Sequence, residues 1–409
     1  MTKARTLADF VSSGNPLADG TISVSEVVGA APLANPTFTG DLTAPEIDLT
    51  AIATDISDTA VDVFVYRTAN DSDGGSWRKR TQHTSWYNEA ASATRGSRKE
   101  FPAVAVIVAE SNQVTIYDGD DPDMPMWMVF NRQSQDSPVA AYNLWWGAAG
   151  SNPTPIAVSV SALNGQIFIA MRDANNAYAG YNGVRSVELI KDICVKHVTA
   201  GNSGFVSLSD RNTYMSPIAA SSLVKALVNG NTNDVAMTVL PNAPIDAATG
   251  LPVPTIAIAS DGGVSVIKDD GTVVDWYRSG GTEYSHQVAF DENNSLYVTW
   301  GTTNGQERHL SYLDVIPSSD DTEMTNDYYN SYDGVGSQAF GSNGQGILSN
   351  NARAFAAKTG RQRLFLLDHN RTNTDTSSVC DITSTYNTGW MNGAIKLATL
   401  SDTDDTNIT

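Results

Sequence analysis

A hairpin that keeps returning constrains this chain more than any other feature. FPAVAVIVAESNQVTIYDGD (residues 101–120) reads as an apolar strand, a polar turn and a second strand rich in β-branched and aromatic residues. The same form recurs in IAVSVSALNGQIFIAMRD (156–173), TIAIASDGGVSVIKDDG (255–271), HQVAFDENNSLYVTWG (286–301) and ARAFAAKTGRQRLFLLD (352–368). VDVFVY (61–66) is a further strand, and SGFVSLSD (203–210) is a partial sixth member of the series. Hairpins that recur without crossover helices cannot be βαβ units, because parallel strands need a long connection between them. Their second strands fall roughly 30–70 residues apart, an irregular version of a propeller's blade period. Each hairpin must cover its apolar faces with neighbouring hairpins, and radial repetition protects the exposed strand edges.

The expected fold is therefore mostly β: a short N-terminal helix and β-repeat anchor, then a large β-hairpin-repeat body built as a β-propeller. A sandwich or several β-domains are the alternatives. Composition agrees, with 32 glycines in 409 residues and only 17% charged residues, which suits short strands and turns better than exposed helix faces. One helix is predicted within the body: SPIAASSLVKALVNG (216–230) spaces Ile218, Leu223, Val224, Leu227 and Val228 at helical intervals, with Gly230 as a stop, and would lie outside a blade.

The first 58 residues have a different texture. KARTLADFVS (3–12) places Leu7, Phe10 and Val11 on one helical face, but so short a helix is not stable alone. TISVSEVVG (21–29) alternates as a strand does. APLANPTFTGDLTAPEIDLT (31–50) carries three prolines and sets Phe38, Leu42, Ile47 and Leu49 among small polar residues. Twenty residues cannot bury a core of their own, so these pieces need another surface. The organisation read from the sequence is an attachment segment over 1–58, a β-rich body over 59–395, and a polar linker or tail over 396–409.

A net charge of −20 argues against a nucleic-acid partner, whose binding rests on a basic stripe. No run approaches the roughly 18 apolar residues of a membrane span, so membrane insertion is not expected. MTKARTLADF lacks the apolar core of a signal peptide, which points to synthesis in the cytoplasm. Two cysteines, Cys194 and Cys380, make no disulfide framework and read as buried free thiols.

Two stretches carry candidate chemistry. DSDGGSWRKRTQHTSWYNE (71–89) mixes Trp77, Arg78, Lys79, Arg80, Trp86 and Tyr87 in an otherwise acidic chain. It reads either as a basic patch pairing with an acidic neighbour or sister subunit, or as a carbohydrate contact. YDGDDPDMP (117–125) gathers Asp118, Asp120, Asp121 and Asp123, hard oxygen ligands that can hold Ca²⁺. The alternative is a solvated acidic turn, since Pro122 breaks the spacing and no distal Glu follows. G-x-S-x-G, H-E-x-x-H and C-x-x-C are all missing, and the histidines at 83, 197, 286, 309 and 369 are scattered. No cofactor is implied. Carboxylates distant in sequence could still form a hydrolase pair.

The opening segments also carry a resemblance. NPTFTGDLTAPEIDLT resembles the NPTFTG β-repeat of bacteriophage tail fibres and collar proteins, and KARTLADFVSSG…ADGTISVSEV resembles the attachment segment of fibre-like virion proteins in marine tailed phages. The module from TAVDVFVY to MWMVF is similar to one in virion structural proteins, so the resemblance spans roughly residues 1–130. DSDGGSW also nearly matches the Asp-box turn of sialidase-type propellers, with the tryptophan one residue early. The phage resemblance implies a non-enzymatic virion protein of the tail, anchored by its N-terminus and involved in host attachment. Its implied partners are other tail proteins (adaptor, nozzle or baseplate), sister chains in a homotrimer, and a host surface glycan. The alternatives are a tail nozzle, or a tailspike-type hydrolase that degrades glycans.

Overall fold

The computed structural model divides the chain into two compact units, 1–48 and 49–409. It describes, within the second, residues 59–131, 155–173, 182–199, 204–212, 216–217, 225–277, 283–291, 293–302, 309–313 and 315–322. It also describes the backbone of four further strands between 346 and 383. The attachment residues Leu7, Phe10, Val11, Phe38, Leu42, Ile47 and Leu49, the predicted helix over 3–12 and the tail over 396–409 lie outside the described residues.

The body is a succession of antiparallel sheets, each built from consecutive strands. The first holds β1 (Ala60–Arg67), β2 (Val104–Glu110), β3 (Gln113–Asp118) and β4 (Met126–Asn131). The second runs from β5 (Pro155–Leu163) and β6 (Gln166–Asp173) through β7 (Gly183–Glu188), β8 (Ile193–His197) and β9 (Gly204–Ser207) to β10 (Ser216–Pro217). The third holds β11 (Thr232–Thr238), β12 (Thr255–Ser260), β13 (Gly263–Ile267) and β14 (Val273–Trp276). The fourth holds β15 (Glu283–Phe290), β16 (Leu296–Thr302) and β17 (His309–Leu313). The fifth holds β18 (Gly346–Leu348), β19 (Arg353–Lys358), β20 (Arg363–Asp368) and β21 (Ser378–Thr383). First strands pack in chain order: β1 on β5, β5 on β11, β11 on β15, and β15 on β18. Meander sheets whose first strands stand side by side in sequence order are the blades of a β-propeller.

Cores lie between blades. Ile107, Phe130, Val160, Ile169 and Val187 fill the space between the first two sheets. Phe168, Ala170, Val235, Ile256 and Ile258 fill the next, and Ala257, Val266, Trp276, Val298 and Trp300 fill the one between the third and fourth. Strands such as β12, TIAIAS, are buried along their whole length because both faces meet a neighbouring blade. That explains their continuous apolar runs, where a one-sided sheet would alternate.

The predicted helix over 216–230 is not what forms. Ser216–Pro217 is a strand, residues 225–230 are irregular, and 218–224 lie outside the described residues. The later residues spend their amides on neighbouring sheets: Lys225 N donates to His197 Nδ1 at 3.2 Å and Val228 N to Ser265 Oγ at 2.9 Å. Leu227 is buried among Phe168, Val184 and Ile258, so the apolar periodicity reflects a crossing between blades. SGFVSLSD is likewise no separate hairpin. Its strand pairs with β8 and β10 inside the second sheet, and a short 3-10 turn, Leu208–Asp210, follows.

Candidate functional site

The first strands of the first four sheets share a construction that places polar groups on the inner edge of their blades. Each carries a β-bulge at the same position, where the register skips Val61 in β1, Val158 in β5, Asn233 in β11 and His286 in β15. After every bulge comes a polar residue and then a valine: Asp62–Val63, Ser159–Val160, Asp234–Val235 and Gln287–Val288. The first three polar side chains reach forward to the next blade. Asp62 Oδ2 accepts the Val160 amide at 2.8 Å, Ser159 Oγ donates to Asp234 Oδ1 at 2.6 Å, and Asp234 Oδ2 accepts the Val288 amide at 2.9 Å. The residue before the bulge reaches back. Thr232 Oγ1 accepts the Met171 amide at 2.8 Å, and Ser285 Oγ accepts that of Ser260 at 2.8 Å.

Burial pushes both carboxyls of this row upward, Asp234 to about 6. Raised carboxyls on an inner edge are what an acid catalyst needs. Here, however, both Asp234 oxygens are already taken by donors, including the Val235 amide at 2.9 Å. The row behaves as a set of staples between blades.

The aromatic-basic stretch lies in the connection between β1 and β2 and folds inward. Trp77 and Trp86 are fully buried, at 0% exposure, within the first core. Trp77 Nε1 donates to Asp71 Oδ2 at 2.6 Å; the same oxygen takes the Tyr66 hydroxyl at 2.7 Å, and Asp71 Oδ1 takes the Asn164 amide at 2.7 Å. Asn164 and Gly165 form the two-residue hairpin turn between β5 and β6, both at positive φ. A Cβ on Gly165 would come within 3.2 Å of both the Trp77 ring and Ile190, so this glycine also permits the close approach. Trp86 Nε1 donates to Leu189 O at 2.8 Å, and Ser85 binds Asp192 through both its amide and its hydroxyl.

The stretch is thus a plug that fastens the first sheet to the second. Neither tryptophan can reach a glycan or a sister chain, which corrects the expectation that they form a contact surface. Tyr87 is half-buried against the same core. The basic residues find acids within the body: Arg78 meets Glu100 at 3.3 Å and also donates to Phe101 O, Arg80 meets Asp73 at 2.9 Å, and Arg211, 1% exposed, holds Glu89 at 2.7 Å. Arg95 lies 4.4 Å over the Trp127 ring and donates to Trp127 O and Lys99 O. Burial lowers its pKa only to about 10, so it stays charged.

The acidic turn has its own cation. Arg98 binds Asp118 at 2.7 Å and Asp120 at 2.8 Å; Asp120 also accepts the amides of Ala103 and Val104, and Asp121 accepts that of Asp123. These carboxylates are turned toward a guanidinium and backbone amides instead of a common metal position. Among the described residues no three His, Cys, Asp or Glu side chains gather as metal ligands. The turn borders a cavity of about 510 Å³ lined by Arg98, Asp118, Asp120, Asp121, Pro125 and Met126.

Sequence reasoning missed a buried polar group in the second sheet. Arg185 and Lys196 are cross-strand neighbours with 0% exposure, and no acceptor lies within hydrogen-bonding distance of Lys196 Nζ among the described residues. His197 accepts the Lys225 amide at Nδ1 and faces Ser186 Oγ through Nε2 at 3.0 Å, which fixes a neutral ring protonated at Nε2. Burial holds its pKa down at about 3. Cys194 is a buried free thiol whose pKa burial pushes up, leaving it unreactive; Cys380 has no described side chain. Among the described residues no helix is long and apolar enough to cross a membrane.

No family model matches the chain, and no curated protein matches it. Solved structures overlap with it at low scores. A protein of unknown function from Bacteroides caccae has a TM-score of 0.29 and 10% identity, covering 68% of this chain and 72% of that one. A putative gluconolactonase has a TM-score of 0.26 and 10% identity, covering 68% and 71%. Virginiamycin B lyase from Staphylococcus aureus has a TM-score of 0.22 and 9% identity, covering 79% and 88%. The propeller architecture rests on the strand order and inter-blade packing described above.

Proposed function

We propose that this chain is a structural protein of a tailed-phage virion, a tail fibre or fibre-like component without catalysis. Its N-terminal 58 residues attach it to other tail proteins, and the propeller body projects toward the host. The observation that carries this reading is the ordered series of small segments in the first fifty residues, ending in the NPTFTG-type repeat. Such pieces lack a core and become stable when sister chains or a tail surface complete one. The inward fold of the aromatic-basic stretch supports a structural body, because those residues hold blades together. The test is electron microscopy of virions labelled with antibody to the body, alongside virions grown with residues 1–58 deleted. Label on the tail that disappears with the deletion is the expected result. Label absent from particles, or normal incorporation of the shortened chain, overturns it. A ring of copies around an axial channel would assign the nozzle position instead.

A second reading, a glycan hydrolase, is favoured by one observation: two inner-edge carboxyls, Asp62 and Asp234, with pKa values raised by burial. Incubation with host surface polysaccharide decides it. The structural reading expects no reducing ends; turnover abolished by Asp234→Asn in a protein that still folds would put the hydrolase first.

A further inference from the structure

The bulge pattern makes the blades comparable residue by residue, and one position breaks the rule. In the second, third and fourth sheets the valine after the bulge points back to the preceding blade. Val160 is 3% exposed against the first sheet, Val235 is 4% against the second, and Val288 is 4% against the third. Val63 holds the same position in the first sheet and is 45% exposed. Val65, two residues on along the same face, is 37% exposed, while their cross-strand partners Val108 and Val106 are buried. The first sheet thus presents an aliphatic inner edge where every later described sheet has a predecessor lying on it.

The fifth sheet has the complementary surplus. Lys358 pairs with Arg363 to close the β19–β20 hairpin, as Ser260 pairs with Gly263 to close β12–β13. Counting back from those closures, Ala357, Phe355, Leu364 and Leu366 stand at the register positions of Ala259, Ala257, Val264 and Val266. In the third sheet those four residues form the face turned to the following blade. The opposite register positions of the fifth sheet, Ala354, Ala356, Phe365 and Leu367, are also apolar. A sheet apolar on both faces needs cover on both. Since β18 packs on β15, the fourth sheet accounts for one of them.

We propose that the fifth sheet of the same chain covers the Val63–Val65 edge of the first, closing a five-bladed ring. Among the described residues each blade is made from consecutive strands, and none of them comes from the other end of the series. On this reading the seam joins two faces whose residues at these positions are apolar by sequence. The occupant is identified by count and continuity: four inter-blade contacts follow one another in chain order, and the two ends of that series are the two faces left over.

The test uses the full chain. Val63→Cys carries a thiol-specific photo-cross-linker, and adducts from residue 63 are mapped by mass spectrometry in dilute protein. Cysteine is close to valine in size, so the unlabelled variant is expected to keep the wild-type circular dichroism and melting profile. Val65→Cys provides the same probe on the same edge should Val63→Cys misfold. The expected result is an intrachain adduct to a peptide within 346–383. An adduct confined to a dimer band would assign the edge to a second copy. An adduct elsewhere in the chain, or none from either site, would overturn closure by the fifth sheet.

Discussion

The Asp234 carboxylate accepts the Val288 amide at 2.9 Å, so one side chain of the third blade holds the backbone of the fourth. Its other oxygen takes the Ser159 hydroxyl of the second blade at 2.6 Å. Three blades therefore meet on one carboxylate, and Asp62 makes the corresponding bond to Val160 one blade earlier. A buried acceptor at a junction adds direction that apolar packing lacks. It fixes how far one blade can slide along the next.

Replacing Asp234 with alanine leaves the Ser159 hydroxyl and the Val288 amide without their acceptor. An unsatisfied buried donor costs roughly 1–3 kcal/mol, so a net loss of about 2 kcal/mol in urea denaturation is expected. The pH profile carries the sign. The folded pKa of about 6 lies above the ordinary 3.8, so the folded state holds the proton more tightly. This contribution is fully present below about pH 4 and is lost as pH rises through 6. Asp62, also raised by burial, acts in the same direction. Asp234→Asn should flatten the fall in stability between pH 4 and 6; an unchanged slope would show that another group sets it.

Trp86 and Arg78 separate core from surface within one stretch. Trp86→Ala removes a fully buried ring and the donor to Leu189 O, and loss of a buried tryptophan costs about 3–5 kcal/mol. Arg78→Ala loses a half-buried pair and one bond to a carbonyl, about 1–2 kcal/mol. Thermal melts of the two variants should differ accordingly. A Trp86→Ala protein that melts normally yet fails to adhere to cells would return the stretch to glycan binding.

Much of the architecture was legible because the recurring hairpins alternate or run apolar over strand lengths and are punctuated by turns rich in Gly, Asn or Asp. Their uneven spacing has a structural cause. The segments 156–173 and 286–301 are the first and second strands of their blades, whereas 101–120, 255–271 and 352–368 are the second and third. The repeat was seen in two phases, so it looked irregular. Of the two readings of the aromatic-basic stretch, pairing with acidic neighbours holds within the body, as Arg78 and Arg80 show. But composition does not reveal direction: Trp77 packs at Gly165 and Trp86 bonds to Leu189, some ninety to a hundred residues away. A signal was available for the staples, a polar residue followed by valine in each first strand, but two-residue patterns stand out only once strands are aligned by their bulges.

Arg98 already occupies two of the carboxylates that calcium would need in the acidic turn. Its guanidinium spans Asp118 and Asp120, and the Asp118 side chain is 6% exposed. Chelation with EDTA or addition of millimolar calcium should leave the melting temperature unchanged. Arg98→Ala should lower stability by about 1–3 kcal/mol, because it leaves a buried carboxylate without its charged donor. A calcium-dependent rise in the wild-type melting temperature would establish a metal site.

Lys196 offers the opposite outcome, a substitution that should stabilise. Its ammonium is buried beside Arg185, and both burial and that neighbouring positive charge hold its pKa well below the ordinary 10.5. The unfolded chain therefore binds a proton more readily than the folded one throughout the window between the lowered value and 10.5. Stability contributed through this group rises with pH across that window, the reverse of the Asp234 profile. Methionine is unbranched and of similar length, and it needs no acceptor. Lys196→Met should raise stability at neutral pH by about 1–4 kcal/mol, the range seen when buried charged groups give way to well-packed apolar ones. It should also reduce the rise in stability between pH 7 and 10. Arg185, held at about 9 by burial, keeps its charge at pH 7 and loses a repulsive neighbour in the variant. Its own titration adds a rise in stability near pH 9 in both proteins, so the variant is compared with the wild type at each pH. Urea denaturation at pH 7 and pH 9.5 measures both effects. Destabilisation by Lys196→Met at both values would mean that the ammonium is held by an anion in the native protein.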